Sequence, residues 1–218
     1  MIKSLNEIEG LDLVIIFAHN KNKKNKHYTK HQKDEYKFEM KNFFNNKFYK
    51  VKNKIFYIKN INSKKIIDLI KIQKPDLGIL FGTKKVSTVM ISAFKKKLIN
   101  VHRSIMQKYR GLDSEFWAIN NNDYKFIGTT IHFVNSHFDK GKIIFEERLK
   151  LKKNMKCYHL RYYTTLIAIK NIKKIILNIS NKRLKVYKNQ KVGKYYSNIP
   201  NKLKVEACKK FNKYCLNI

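Results

Sequence analysis

Three things are scarce in this chain of 218 residues, and each scarcity excludes something. Cysteine occurs three times, at Cys157, Cys208 and Cys215, an odd number with no CxxC pair. That spacing argues against a disulfide framework or a structural zinc site, and a reducing cytosol is the simplest setting. No apolar run approaches the ~20 residues needed to span a bilayer. The opening residues, MIKSLNEIEG, lack the apolar core of a secretory signal, so a cytoplasmic protein with no membrane partner is expected. Acidic residues number 15 against 49 Lys and Arg, a formal charge of +34. Such a polycation could bind nucleic acid by releasing counterions. Its lysines are scattered, however, whereas a dedicated binder gathers charge on one face or tail. Lys, Asn and Ile also share AT-rich codons. Compositional drift is therefore the preferred reading over a dedicated nucleic-acid binder, and weak nonspecific attraction to RNA or acidic metabolites follows either way.

What is present describes a globular α/β protein. Apolar residues make up 43% of the chain and are spread along it, enough for one core-forming domain. Residues 2–9 read as a short helix closed by Gly10. Residues 11–18, LDLVIIFA, read as a strand buried on both faces. Residues 19–46 are polar and Lys-rich, the pattern of a long loop with at most a helical turn. Strands are predicted at 54–58, 77–82 and 98–102, with helices at 62–73 and 87–96 between them. Ser63 suits an N-cap, and Pro75 lies past the first helix's end. This alternation implies βαβ units and an open, mostly parallel, Rossmann-like sheet. Further strands are predicted at 128–134 and 143–151, and a long helix at 157–178. Residues 184–187 and 192–196 would form a small hairpin, and a short helix would follow Pro200. The expected division is a catalytic domain at 1–155 and a helix, hairpin and terminal helix at 156–218. A nucleotide-type α/β domain usually opens on a strand and Gly-rich loop. Here the pattern begins at the following helix, so that first strand is expected to be lacking.

Glycine is scarce too, yet three of the seven glycines (Gly111, Gly128 and Gly141) punctuate the segment from Ile99 to Ile143. The same segment carries Asn100, His102, His132 and Asp139. Asn100 and His102 are two apart on a predicted strand and so face one side, near the end where parallel sheets place ligands. A carboxylate beside an imidazole can stabilise its charge and fix its tautomer. An amide can donate to an oxygen that becomes anionic when a carbonyl is attacked. Together these groups suit acyl transfer to an amine without a covalent enzyme intermediate. His132 could equally be structural, and Arg110 could bind phosphate or cap its loop. Trp117 reads as core packing, and Tyr195 and Tyr196 as packing for the C-terminal tail. His19, His27 and His31, in the Lys-rich segment, read as solvated.

The chain resembles the folate-dependent formyltransferases, which include methionyl-tRNA formyltransferase, glycinamide ribonucleotide formyltransferase and the nucleotide-sugar N-formyltransferases. The motif N-x-H-x-S…Y-R-G is met by Asn100, His102, Ser104, Tyr109, Arg110 and Gly111. Trp117-Ala118-Ile119 follows, then Gly128, Thr130 and His132, then Asp139, Gly141 and Ile143. Upstream, Pro75-Asp76-Leu77 and Phe81-Gly82 match, and the resemblance spans residues 11–150. It implies 10-formyltetrahydrofolate as co-substrate and no metal. It further implies that Asn100 stabilises the developing oxyanion and that His102 serves as general acid. Asp139 would orient and charge His102 and help move protons, with Ser104, His132 and Arg110 in support. Phe81, Gly82, Lys84, Val86, Asn135, Ser136 and His137 would line the folate pocket. The family's Pro before Tyr-Arg-Gly is Gln107 here, which implies a less rigid loop.

RGLDSEFWAI favours the tRNA and sugar branches over the purine-pathway branch. The short C-terminal region and GKYYSNIP resemble short sugar enzymes, so the acceptor implied is a small-molecule amine on a nucleotide sugar. The alternative is a methionyl-tRNA formyltransferase-like enzyme without its C-terminal tRNA-binding barrel. An alternative of another class is an inactive basic relative that binds RNA or protein. A homodimer is compatible with any of the three.

Overall fold

The computed structural model describes residues 1–18, 29–47, 50–95, 97–137, 139–180, 186–187 and 190–218. In chain order, helix α1 (Ile2–Leu5) precedes strand β1 (Ile15–Ala18), helix α2 (Lys30–Phe44) and strand β2 (Ile55–Ile58). Helix α3 (Lys64–Gln73), strand β3 (Gly78–Phe81), helix α4 (Thr88–Ala93) and strand β4 (Leu98–His102) follow as alternating units. Strand β5 (Tyr109–Gly111), helix α5 (Ser114–Asn120) and strands β6 (Gly128–Phe133) and β7 (Ile143–Arg148) come next. Helix α6 (Leu160–Ser180), strand β8 (Lys194–Tyr196) and helix α7 (Asn201–Tyr214) complete the chain. Among the described residues no helix is long and apolar enough to cross a membrane.

The expected α/β architecture forms. β1 and β2 pair in parallel, as do β3 and β4, and β4-β6-β7 continues the second sheet antiparallel. The four-stranded sheet lies between two apolar layers, and β1-β2 joins the first of them. On one side Ile66, Ile67 and Ile70 of α3 and Met90 of α4 meet Leu98, with Ile16, Ile58 and Leu80 packed against them. On the other, Leu5 of α1 and Ala168, Ile172 and Ile175 of α6 meet Ile99, Val101 and Ile131, with Leu13 and Ile79 against them. Among the described residues β1 and β3 are not paired, so β1-β2 and β3-β4-β6-β7 remain separate sheets. Double burial at residues 11–18 is not found: Phe17 and its register partner Tyr57 are exposed and pack edge to face.

The sequence pattern missed α2. Its residues are polar, none of its described side chains is fully buried, and its amphipathic character is weak. What starts it is a capping box: Gln32 N donates to Thr29 Oγ1, and Thr29 N donates to Gln32 Oε1. What holds it is tertiary. Arg161 of α6 binds both Glu35 and Glu39, and the Phe38 ring stacks on His159 with centroids 4.1 Å apart.

The first arm of the expected hairpin lies partly outside the described residues, which omit 181–185; the second arm, as β8, pairs in parallel with β5. Tyr196 stacks on Tyr109 and lies beside Trp117, whose Nε1 donates to the Ser197 carbonyl. Trp117 thus packs against the third cluster, where Phe116 and Ile119 of α5 meet Ala207 and Phe211 of α7. Residues on both sides of position 155 share that cluster.

One close approach shapes the β6–β7 connection. A Cβ on Gly141 would lie 1.5 Å from the Phe133 carbonyl oxygen. Phe133 N donates to Lys142 O across the same gap, and the β6–β7 register shifts between Ile131 and His132. Replacing Gly141 with Ala should therefore cost ~1–3 kcal/mol by overpacking against backbone. Denaturant unfolding of G141A beside the parent chain checks this, and an unchanged midpoint would contradict it.

Candidate active site

β4 places Leu98, Asn100 and His102 on one face, while Ile99 and Val101 point into the layer beneath α6. β6 lies antiparallel beside it, with Asn100 opposite His132 and His102 opposite Thr130. Asp139 sits in the connection after β6 at a left-handed φ of 44°, a conformation Asp tolerates better than most residues. Its carboxylate brings the set together. Oδ2 lies 3.5 Å from His102 Nδ1, and Oδ1 lies 3.3 Å from His132 Nε2. Asn100 Nδ2 donates toward Oδ1 at 3.4 Å and lies 3.3 Å from His132 Nε2.

Three backbone groups complete the arrangement, and the side-chain pattern alone did not identify them. Gly111 N donates to Asp139 Oδ2 at 2.9 Å. His102 Nε2 lies 2.9 Å from the Tyr109 carbonyl, and His132 Nδ1 lies 2.8 Å from the Phe133 carbonyl. A carbonyl only accepts, so each of those ring nitrogens carries the proton, a tautomer assigned from the bonding network. In a neutral imidazole the other nitrogen is then a bare lone pair, and on both rings it is the one facing Asp139. While both rings are neutral, two lone pairs face the Asp139 carboxylate; a ring that takes up a second proton points that N–H at Asp139 instead.

Burial pushes the His102 pKa below its ordinary value, although the Asp139 charge and the Tyr109 bond oppose it. Burial alone would raise Asp139. With the imidazoles protonated, the His132 bond, the imidazole charges and the Gly111 N–H outweigh it and hold the group at about 2. These tendencies pull against each other, because a neutral His102 withdraws part of what stabilises the carboxylate. Gly111 and Asn100 keep donating whatever the imidazole charge, so Asp139 is ionised at neutral pH.

The remaining candidates divide. Ser104 is fully buried, and its hydroxyl donates to the Phe126 carbonyl at 3.0 Å. Arg110 Nε donates to Gly193 O at 2.6 Å, and its guanidinium lies over the Tyr195 ring. Gln107 does not leave its loop loose: its amide bonds Glu146 Oε1 and accepts from Lys191 N. Phe81 is exposed at the end of β3, and Gly82 follows at φ 64°. Val86 is buried in the cluster against which Val134 packs, so the segments carrying Lys84 and Asn135 border one apolar patch. Beyond it, His137 N donates to Asn135 Oδ1 and Ser136 Oγ meets the His137 ring. A cavity of about 430 Å³ lies alongside, lined by Phe81, Arg103, Arg161 and side chains of α2, including Tyr36 and Met40. Asn100, His102 and Asp139 do not line it.

The formyl transferase family model matches residues 7–161. The chain is 33% identical over 99 residues to the bifunctional polymyxin resistance protein ArnA of Wigglesworthia glossinidia brevipalpis, covering 45% of this chain and 15% of that protein. It is 29% identical over 119 residues to the methionyl-tRNA formyltransferase of Finegoldia magna, covering 54% and 38%. The matched region thus spans well under half the length of these relatives. Among solved structures, the formyltransferase PseJ from Anoxybacillus kamchatkensis was determined with UDP-4,6-dideoxy-4-formamido-L-AltNAc and tetrahydrofolate. It superposes with a TM-score of 0.57 at 18% identity, covering 84% of this chain and 85% of that one, a shared fold.

The depressed Asp139 pKa has a consequence for stability. A carboxyl held below its unfolded value of 3.8 stabilises the fold above that pH and loses the contribution as pH falls toward about 2. Asp139→Asn should be less stable than the parent above about pH 4, where the carboxylate is ionised. The gap should close between about pH 4 and pH 2. Paired unfolding curves across that range check it, and a gap independent of pH would contradict it.

Proposed function

The chain belongs to the formyl transferase family, and from that premise we propose that it moves a formyl group from 10-formyltetrahydrofolate to a primary amine. The acceptor we assign is an amino sugar linked to a nucleotide. The observation that carries the reading is the convergence of Asn100, His102 and His132 on Asp139. When bound, 10-formyltetrahydrofolate supplies the formyl carbon that the amine attacks and the nitrogen that must leave protonated.

Each residue then has a task. The Asn100 amide is held at long distances, 3.3 and 3.4 Å, and can turn its N–H to an oxygen gathering negative charge. The proton lost by the amine passes to the centre, where Asp139 and the Nδ1 lone pair of His102 face each other. His102 so protonated is the general acid that returns the proton to the leaving nitrogen, while Tyr109 O keeps its ring in place. His132 supports the same proton through Asp139 Oδ1. Exposed Phe81 offers an aromatic face for the folate ring, and the segments around Gly82 and Asn135 offer backbone donors and acceptors.

Support for the sugar acceptor comes from the likeness to PseJ, which extends over 85% of that chain. The charge of +34 favours a second reading, methionyl-tRNA as acceptor, as does the likeness to the Finegoldia enzyme. Incubating the chain with 10-formyltetrahydrofolate and either a UDP-linked amino sugar or methionyl-tRNA separates them. The sugar reading predicts formylated nucleotide sugar; formylation of methionyl-tRNA alone would overturn it. Asp139→Asn should slow transfer by ~10²–10⁴-fold, and Asn100→Ala by ~10²–10³-fold. Because burial lowers the His102 pKa, kcat/KM should rise through a pKa below 6.5 and stay level to neutral pH. Full activity in Asp139→Asn would refute the assigned roles.

A further inference from the structure

Three side chains that the mechanism does not use meet where α2, the turn before α6 and α7 come together. They are His31, Cys157 and Cys208, and their ligand atoms all lie within 4.8 Å of one another. His31 was expected to be solvated; instead its Nδ1 lies 3.6 Å from Cys208 Sγ, and its ring packs edge-on against Phe116. We propose that His31 Nδ1, Cys157 Sγ and Cys208 Sγ form a binding site for a thiophilic d¹⁰ cation of the Zn²⁺ class, with water as fourth ligand.

The geometry argues for this in three ways. Tetrahedral zinc with ordinary Zn–S and Zn–N bonds sets its S···N edge at about 3.6 Å and its S···S edge at about 3.8 Å. The His31–Cys208 separation already equals the first. The second ring nitrogen of His31 faces a carboxylate, Glu35 Oε1 at 4.0 Å, and Glu35 is held by Arg161 Nη1 at 2.7 Å. A carboxylate behind a ligating imidazole is the outer-shell arrangement that fixes its tautomer and raises its basicity. Finally, Cys157 is buried while His31 and Cys208 are half-buried, which leaves one side open for entry and for water.

The charges around the site are compatible with thiolate ligation. A hydrogen bond from Cys157 pulls the Cys208 thiol below its ordinary range, with burial opposing and His31 and Lys204 adding to it, while the same pairing and burial push the Cys157 thiol up, so its proton must leave on binding. Lys204 is itself engaged by Asp113 and lies over the Phe116 ring. Binding would release the remaining thiol protons to solvent and change no oxidation state. The site would also fasten α2 to the C-terminal part of the chain. α2 has no fully buried residue among those described, and it forms one wall of the cavity beside Phe81 and Arg103.

The test uses the reduced, metal-stripped full chain. Co²⁺ should produce sulfur-to-cobalt charge-transfer absorption that Zn²⁺ abolishes by displacement. That absorption should be lost in Cys208→Ser and His31→Ala and kept in Cys215→Ser. Zn²⁺ should also slow alkylation of Cys157 and Cys208 in the unmutated chain by about tenfold or more, a readout independent of how the variants fold. Cobalt binding without charge transfer, equal alkylation with and without Zn²⁺, or recovery of a Cys157–Cys208 disulfide as the stable form would each overturn the site.

Discussion

The arrangement of the candidate site depends on one carboxylate. Asp139 is the group on which two strands, one connection and one backbone amide converge, and each arrives by a different structural route. β4 supplies Asn100 and His102, β6 supplies His132, and the end of β5 supplies the Gly111 N–H. The carbonyls of Tyr109 and Phe133 then decide which nitrogen of each imidazole carries hydrogen. A buried negative charge needs donors, and a neutral imidazole held this way offers it a lone pair. That deficit of one proton is what the proposed transfer uses, the cluster receiving a proton from the amine and giving it up again.

The C-terminal elements serve the same point from a distance. Gly111 can donate to Asp139 only while its backbone keeps a φ of 93°, and a Cβ there would meet the Tyr196 carbonyl at 2.1 Å. β8 lies against β5 to create that close contact, and Tyr196 is wedged by Tyr109 and Trp117. α7 in turn packs its Ala207 and Phe211 against α5. A helix beyond residue 200 is thereby coupled, through ordinary apolar burial, to the position of one N–H at the site.

The legible parts of the sequence were those where local pattern and burial agree. β4 was readable residue for residue, because Leu98, Ile99 and Val101 are buried in two layers and the polar pair falls at period two. G-x-T-x-H was readable for the same reason on β6. α2 was not, since its stability comes from Arg161 and Phe38 contacts across the fold and not from an apolar stripe. The β5–β8 pairing was invisible because a parallel partner 85 residues away leaves no turn signal. His31 and Cys208 are 177 residues apart, so neither resembles a ligand by spacing. Gly111 could have been suspected from its place after Tyr-Arg, but its amide's target becomes evident only in three dimensions.

The central claim is that the two histidines face Asp139 with opposite ring nitrogens, in tautomers set by backbone carbonyls. Long-range proton–nitrogen NMR correlation of the assigned imidazoles at neutral pH tests it most directly. The account predicts the Nε2–H tautomer for His102 and the Nδ1–H tautomer for His132 when each ring is neutral. The same tautomer on both neutral rings, or an imidazolium at His102 in the free protein, would contradict it.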